Sequence, residues 1–303
     1  MNEICVSIFM LTFNQEMFIS QTINSVLIQN TNFRYQIVIG EDFSTDKTRE
    51  ICESFAEQYG DKIKLLVSDK KYGLIQNFIR TLKECDGKYV AILDGDDYWT
   101  DPLKLQKQID FLEKNHEFSI VYTGIRNLYP SGEFRLKTWP DIKGPKIFED
   151  LVFGNFIPSV TAVFINRQKR EDFPSWIGNF PYGDWPIYLW TIKNGGKIAY
   201  LDEVTAVYRK EIGVSEKLKL VSSDIARVNL DIVNCVYNDM QFAHKKNVVK
   251  KSLRIHQFSL MASLFRKRQF FGSFKIGLKL FFVQPLKTVR IYIYIIKRIY
   301  FKF

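Results

Sequence analysis

Residues 4–40 read ICVSIFMLTFNQEMFISQTINSVLIQNTNFRYQIVIG, and the change of pattern within them decides the fold class. Ile4 to Thr12 is an apolar run of strand length and reads as a buried strand. Glu16 to Gln29 is amphipathic at helical spacing, and Tyr35 to Gly40 is a second apolar run. Working outward, the unit repeats. Ser44 opens a helix running to about Tyr59, Lys62 to Val67 is a third strand, and a helix from Leu74 to Cys85 stops at Asp86-Gly87. Lys88 to Leu93 (KYVAIL) is a fourth strand. Strand–helix repetition at this period implies an α/β fold with a mainly parallel central sheet flanked by helices and right-handed crossovers. Beyond it, Pro102 to Asn115 reads as a helix, Phe118 to Thr123 as a strand, and Pro130-Ser131-Gly132 as the turn of a hairpin. Trp139, Trp176, Trp185 and Trp190 mark an aromatic second half, read as shaping a pocket. After Glu216 the pattern stays helical to the end. The expected organisation is an α/β domain over 1–216 and a helical C-terminal extension over 217–303.

Composition limits the classes. The chain of 303 residues is 46% hydrophobic and 25% charged, ordinary values for a folded protein with a sizeable core. Cys5, Cys52, Cys85 and Cys235 are dispersed, and His116, His244 and His256 are scattered, which excludes a disulfide scaffold and a His/Cys zinc centre and fits a reducing cytoplasm. The net charge of +10 is uneven. Met240 to Phe303 holds 15 Lys/Arg and no Asp or Glu, whereas the residues before it hold 28 basic and 33 acidic side chains. A mildly acidic body whose aromatics do not interleave with Arg/Lys argues against a nucleic-acid partner. The N-terminus lacks the basic and apolar regions of a secretory signal, and the longest uncharged runs are interrupted by polar residues, so a soluble chain with a surface attachment at its end is expected.

In open α/β sheets ligands bind beyond the carboxyl ends of the strands. Here those ends are Thr12-Phe13-Asn14, Glu41-Asp42 and Asp94-Gly95-Asp96-Asp97. An acidic crevice favours a divalent cation over a bare phosphate. The chain has neither G-x-G-x-x-G nor G-x-x-x-x-G-K-[ST], so a phosphorylated ligand would need a metal to neutralise its charge. Carboxylates two apart at a strand end point the same way, and magnesium typically takes one or two carboxylates together with substrate phosphates.

These pieces, with Gly183-Asp184-Trp185 and Tyr208-Arg209-x-x-x-Gly213-Val214-Ser215, resemble in order and spacing the family 2 glycosyltransferases, which are inverting enzymes of the GT-A fold using nucleotide-activated sugars. The resemblance covers residues 4–215. It implies that Asp96 ligates Mn²⁺ or Mg²⁺ and that Asp94 contacts the metal or the donor ribose. It implies too that Asp42, with Glu41 adjacent, accepts a hydrogen bond from the donor's uracil. Thr12, Phe13, Asn14 and Asn77 fall at positions near the nucleotide, and Arg209 or Lys210 is a cationic partner for the diphosphate. Asp184 takes the position of the catalytic base, which inversion requires to remove the acceptor hydroxyl's proton. Where similar enzymes carry a histidine two residues after the arginine, this chain has Glu211, a possible third ligand that would repel the diphosphate. Asp97, Trp99 and Trp185 are candidates for the acceptor side. Other readings of the same residues stand beside these: Asp42 or Ser44 as a helix cap, Phe13 as core, Asp184 as an acid stabilised at a helix N-terminus.

The function implied is transfer of a sugar from a nucleotide-diphosphate donor, a UDP-sugar above all, to a hydroxyl of a glycan or lipid-linked acceptor. The alternatives are a nucleotidyltransferase, which would carry a glycine- and arginine-rich loop where this chain has Phe13-Asn14-Gln15-Glu16-Met17, and a non-catalytic carbohydrate-binding protein, which would not need acids at 42, 94, 96 and 184. Leu286 to Phe303 (LKTVRIYIYIIKRIYFKF) reads as a helix with Lys287, Arg290, Lys297, Arg298 and Lys302 within an arc of about 140°. That pattern predicts docking on an anionic membrane surface and hence a cytoplasmic protein peripheral to the inner face of the cell membrane. An oligomer is compatible with these features.

Overall fold

The structure is a computed structural model that describes residues 5–138, 144–169, 171–212 and 222–300. Trp139, Glu216, the Gly213-Val214-Ser215 segment, Lys302 and the side chains of Lys297 and Arg298 lie outside the described residues. Two compact units divide the chain, Met1–Phe148 with Phe156–Lys217, and Glu149–Asn155 with Leu218–Phe303. The second unit thus takes a short segment from within the first, which a single boundary at 216/217 does not contain.

The first unit opens with β1 (Val6–Thr12), α1 (Ile19–Leu27), β2 (Tyr35–Glu41), α2 (Thr48–Gln58), β3 (Ile63–Leu66), α3 (Leu74–Lys83) and β4 (Tyr89–Ile92). There follow β5 (Tyr98–Trp99), α4 (Lys104–Lys114), β6 (Phe118–Leu128), β7 (Phe134–Lys137), the single turn α5 (Phe148–Leu151), which runs into the segment of the second unit, then β8 (Val163–Ile165), α6 (Asp184–Thr191) and β9 (Lys197–Arg209). Among the described residues these strands form one nine-stranded sheet in the order β3-β2-β1-β4-β8-β6-β9-β5, with β7 paired to β6. Every residue of β1, β2 and β4 is buried, as a central parallel sheet covered on both faces requires. The core around them includes Ile8, Met10, Ile23, Ile37, Leu105 and Ile109.

The sheet is more mixed than the strand–helix alternation predicts. β3, β2, β1 and β4 run parallel. However, β8 is antiparallel to both β4 and β6, β5 to β9 and β7 to β6, while β6 and β9 are parallel. Polarity is enforced by helical crossovers in the first half. A three-residue strand reached through loops, such as β8, carries no such signal.

From β1 the chain moves outward to β2 and β3, then returns to place β4 on the other side of β1. The carboxyl ends of β1 and β4 therefore flank the point where the strand order reverses, where α/β sheets form their crevice. Thr12-Phe13 and Asp94–Asp97 are the residues delivered there.

The second unit contains α7 (Ser222–Asn238), α8 (Lys246–Arg266), α9 (Phe270–Phe281) and α10 (Pro285–Tyr300). Phe258 and Met261 of α8 pack with Leu280 of α9, and Ile291 and Tyr292 of α10 close the cluster. Gly277 is needed for this closeness, since a Cβ there would lie 2.9 Å from the Tyr292 ring. The Tyr292 hydroxyl donates to the Ser273 carbonyl at 3.0 Å, and the Ser273 hydroxyl donates to the Met261 carbonyl at 2.9 Å. No described helix is long and apolar enough to cross a membrane.

Candidate active site

The loops after β1 and β2 are locked together. Asn14, in the left-handed region at φ 52°, receives Thr45 N–H on its Oδ1 at 2.8 Å and donates its own backbone N–H to Ser44 Oγ at 3.0 Å. Gln15 N–H donates to Thr48 Oγ1 at 2.7 Å, and Lys47 N–H donates to Glu16 Oε2 at 2.9 Å. Each loop thus caps orphan donors of the other. This exchange is why α1 begins at Ile19 and α2 at Thr48, later than the sequence pattern suggests. Asn14 acts in this lock.

Glu41 and Asn77 are likewise committed to the scaffold. Glu41 is fully buried. Its Oε1 accepts the Ser44 N–H at 2.6 Å and its Oε2 pairs with Arg49 at 2.6 Å. Asn77 donates to the Gly40 carbonyl at 2.8 Å and accepts Arg80 Nε at 2.7 Å, and Arg80 donates onward to the Glu41 carbonyl at 2.6 Å. These bonds rigidify the rim behind the crevice and leave Glu41 little capacity for a nucleotide. Arg49 and Arg80 were the partners to look for, because a buried carboxylate needs a cation. Replacing Arg49 by Met is expected to cost about 3 kcal/mol by stranding Glu41, read as a lower urea midpoint, with Glu41→Gln in the same chain recovering part of the loss.

Asp42 caps neither α2 nor α3. Its two carboxylate oxygens accept the N–H groups of Tyr72 and Gly73 at 2.7 and 2.9 Å, holding the loop before α3 against the end of β2. A carboxylate has about four lone-pair sites, so capacity for one further donor remains. Phe13 is half-buried and carries Lys71 Nζ 3.8 Å from its ring centroid. The Thr12 hydroxyl is buried without a partner among the described residues.

The Asp94–Asp97 loop is held from three sides. Thr22 Oγ1 meets the Gly95 and Asp97 carbonyls at 2.9 and 2.7 Å. Arg209 donates its backbone N–H to Asp97 Oδ1 at 2.7 Å and its guanidinium to the Asp96 carbonyl. That guanidinium lies 4.8 Å from the ring centroids of both Phe18 and Tyr98. Gly95 keeps the loop close to β1, since a Cβ there would lie 3.0 Å from the Leu11 carbonyl oxygen and 2.5 Å from Gln15 Oε1. Burial pushes the Asp94 carboxyl up to about 7, and the negative charges of Asp96 and Asp184 push the same way. Burial, with Asp96 next to it, also raises Asp97 well above the usual carboxylate range, and its Oδ2 has no partner among the described residues. Thr22 lay in an ordinary helical pattern and gave no sequence signal.

Asp184 is the first residue of α6, a helix otherwise buried all round. Gly183 before it lets α6 approach α3, since a Cβ would lie 2.7 Å from the Phe78 ring. Phe78 in turn packs edge-on against Phe9 of β1 at 4.8 Å. One turn later, burial and then the charges of Asp184 and Asp94 push the Tyr188 hydroxyl well above its ordinary pKa. Asp94, Asp96 and Asp184, from two elements 90 residues apart, thus share one electrostatic neighbourhood.

The acceptor-side candidates are all buried. Trp99 is 2% exposed, donates its indole N–H to the Val160 carbonyl at 2.8 Å and lies under the buried Lys104 ammonium. Trp185 and Asp97 are equally buried. Glu211 is not assembled with Asp94 and Asp96. Among the described residues no group of three or more His, Cys, Asp or Glu side chains is placed to hold a metal. What is present fits a hard cation shared with a ligand's phosphates: two clustered carboxylates, Asp94 and Asp96, beside the unsatisfied Asp97 oxygen.

Comparison with known proteins identifies the family. The glycosyl transferase family 2 model matches residues 7–172, more than half of the chain. An uncharacterized protein of Mycobacterium tuberculosis is 32% identical over 209 residues, which cover 68% of this chain and 58% of that protein. The match therefore spans little more than half of that relative's length. A Bacillus subtilis protein named for teichuronic acid biosynthesis, the glycosyltransferase TuaG, is 26% identical over 268 residues, covering 82% of this chain and 97% of its own. Among solved structures, Staphylococcus aureus TarS 1–349 in complex with UDP-GlcNAc superposes with a TM-score of 0.64 at 19% identity, over 86% of this chain and 80% of that one. With a match that spans more than half of its residues, the chain belongs to glycosyl transferase family 2.

Proposed function

We propose that the protein transfers a sugar, with inversion, from a nucleotide-diphosphate donor to a hydroxyl of a surface glycan or a lipid-linked saccharide, with Asp184 as the general base. The observation that carries this reading is the convergence of Asp94, Asp96 and Asp184 at the reversal point of the sheet. Asp94 and Asp96 are the residues that would hold Mn²⁺ or Mg²⁺. When bound, such a cation neutralises the charge that develops on the departing diphosphate, so the leaving group needs no protein acid. Asp42 receives the donor's base through its remaining acceptor capacity, beside Thr12 and Phe13. Arg209 orients the Asp96–Asp97 turn. Asp184, at the amino end of α6, is favoured in its charged form by the helix dipole and accepts the proton of the attacking hydroxyl. A peripheral position on the inner face of the cell membrane, through the basic C-terminal unit, accords with a lipid-linked acceptor.

The test is a panel of UDP-, dTDP- and GDP-sugars incubated with the protein and Mn²⁺ or Mg²⁺, with diphosphate release followed by slow hydrolysis. One sugar class is expected to be turned over, its product showing inverted anomeric configuration by NMR once an acceptor is supplied. Release of pyrophosphate from a sugar phosphate and a nucleoside triphosphate, with no nucleotide-sugar consumed, would overturn the reading in favour of nucleotidyl transfer.

A further inference from the structure

Among the described side chains of α10, one face is buried and the other free. Thr288 and Ile295 are buried and Ile291 and Tyr292 half-buried against α8 and α9, so much of its apolar surface is internal packing. Leu286, Val289, Ile293 and Ile296 remain exposed. The larger unpartnered surface lies on α9. Ser273, Gly277 and Leu280 face inward, while Phe271, Phe274, Leu278, Phe281 and Phe282 are exposed, Phe271 at 83% and Phe282 at 80%. At 100° per residue these five occupy an arc of about 100°, with Lys275 and Lys279 on one flank. The exposed Val283 links this stripe to the exposed residues of α10.

A helix that buries small residues and exposes phenylalanines reverses the usual arrangement of a protein surface. Resting on the membrane reading above, we propose that the α9 stripe, and not α10 alone, is the part of the second unit that enters an anionic bilayer. Phe271, Phe274 and Phe282 insert at the acyl boundary, and Lys275 and Lys279 reach the lipid phosphates. Charge selects this occupant over a second copy of the chain. Residues 240–303 carry 15 basic and no acidic side chains, so a two-fold contact would set like charges against each other, whereas anionic headgroups neutralise them.

The experiment is co-sedimentation of the full chain with phosphatidylglycerol/phosphatidylcholine vesicles at low and high salt. The Phe271→Ser/Phe274→Ser/Phe282→Ser variant is expected to lose about a hundredfold in partition coefficient at both salts. The corresponding Phe→Leu variant is expected to stay within a few-fold of the native chain. Lys275→Gln/Lys279→Gln is expected to lose affinity at low salt only. Retained donor hydrolysis and an unchanged circular dichroism spectrum show that the variants fold. If the native chain binds and the Phe→Ser variant binds equally, the assignment to α9 is wrong while membrane attachment stands. If the native chain ignores vesicles at low salt, both fall. A native dimer that becomes a monomer on Phe→Ser substitution, with vesicle binding unchanged, would assign the stripe to self-association and overturn the proposal.

Discussion

Asp184→Asn is expected to lower turnover by about 10²–10⁴-fold, the range that a positioned general base contributes, while leaving donor affinity within a few-fold of the native protein. The substitution keeps the shape and the first-turn position of the side chain but removes its capacity to take a proton. Asp184 is half-buried, but the structural cost of the change stays modest because an acid at a helix N-terminus contributes about 0.3–2 kcal/mol and the amide still accepts hydrogen bonds. Removing a negative charge beside Asp94 also relieves part of the repulsion there. Loss of the transition-state interaction alone lowers kcat and kcat/KM together. Isothermal titration with the nucleoside diphosphate, paired with turnover, checks both halves. Near-normal turnover would show that Asp184 serves only the helix terminus.

What the sequence revealed follows the strength of each local signal. β1, β2 and β4 were legible because fully buried strands read as apolar runs, and the acidic ends of β2 and β4 were legible because carboxylates seldom follow such runs without a task. The partition of labour within those acids was not. Glu41 and Asp42 are adjacent, yet one pairs with Arg49 and the other holds the loop at Tyr72 and Gly73. Both partners come from elements whose approach is set by tertiary packing. Asn14 matches a nucleotide-side position, but its left-handed backbone and its bonds to Ser44 and Thr45 give it a structural task. Trp99 and Trp185 illustrate the opposite case. An aromatic beside an acidic motif invites a ligand-stacking role, whereas Trp99 of β5 and Trp185 of α6 are both buried. The tail helix was correctly bounded near Pro285, but periodicity alone did not separate the apolar residues that pack on α8 and α9 from those left exposed.

Asp96→Ala is expected to separate folding from donor binding. In the native protein Asp96 sits between Asp94 and Asp97, and its charge raises both neighbours. Its backbone carbonyl accepts the Arg209 guanidinium, so the turn keeps that tether when the side chain is cut back. Removing one of three crowded acids lowers the repulsion in the folded state, and the melting transition is expected to stay at or above the native one. Donor binding should move the other way. A cation shared between protein and diphosphate needs hard oxygen ligands from both sides, and with only one or two carboxylates supplied by the protein, losing Asp96 removes a large part of its hold. A ligand at 100 times its Kd stabilises a protein by about 2.7 kcal/mol. The native chain should therefore melt several degrees higher with saturating nucleoside diphosphate and Mn²⁺ than with either alone, and the variant should gain almost nothing from the pair. Such opposite movements are the signature of a site that trades stability for function. Full native turnover in excess chelator, or a variant that still gains stability from nucleotide and Mn²⁺ together, would show that Asp96 shapes the turn without holding a metal.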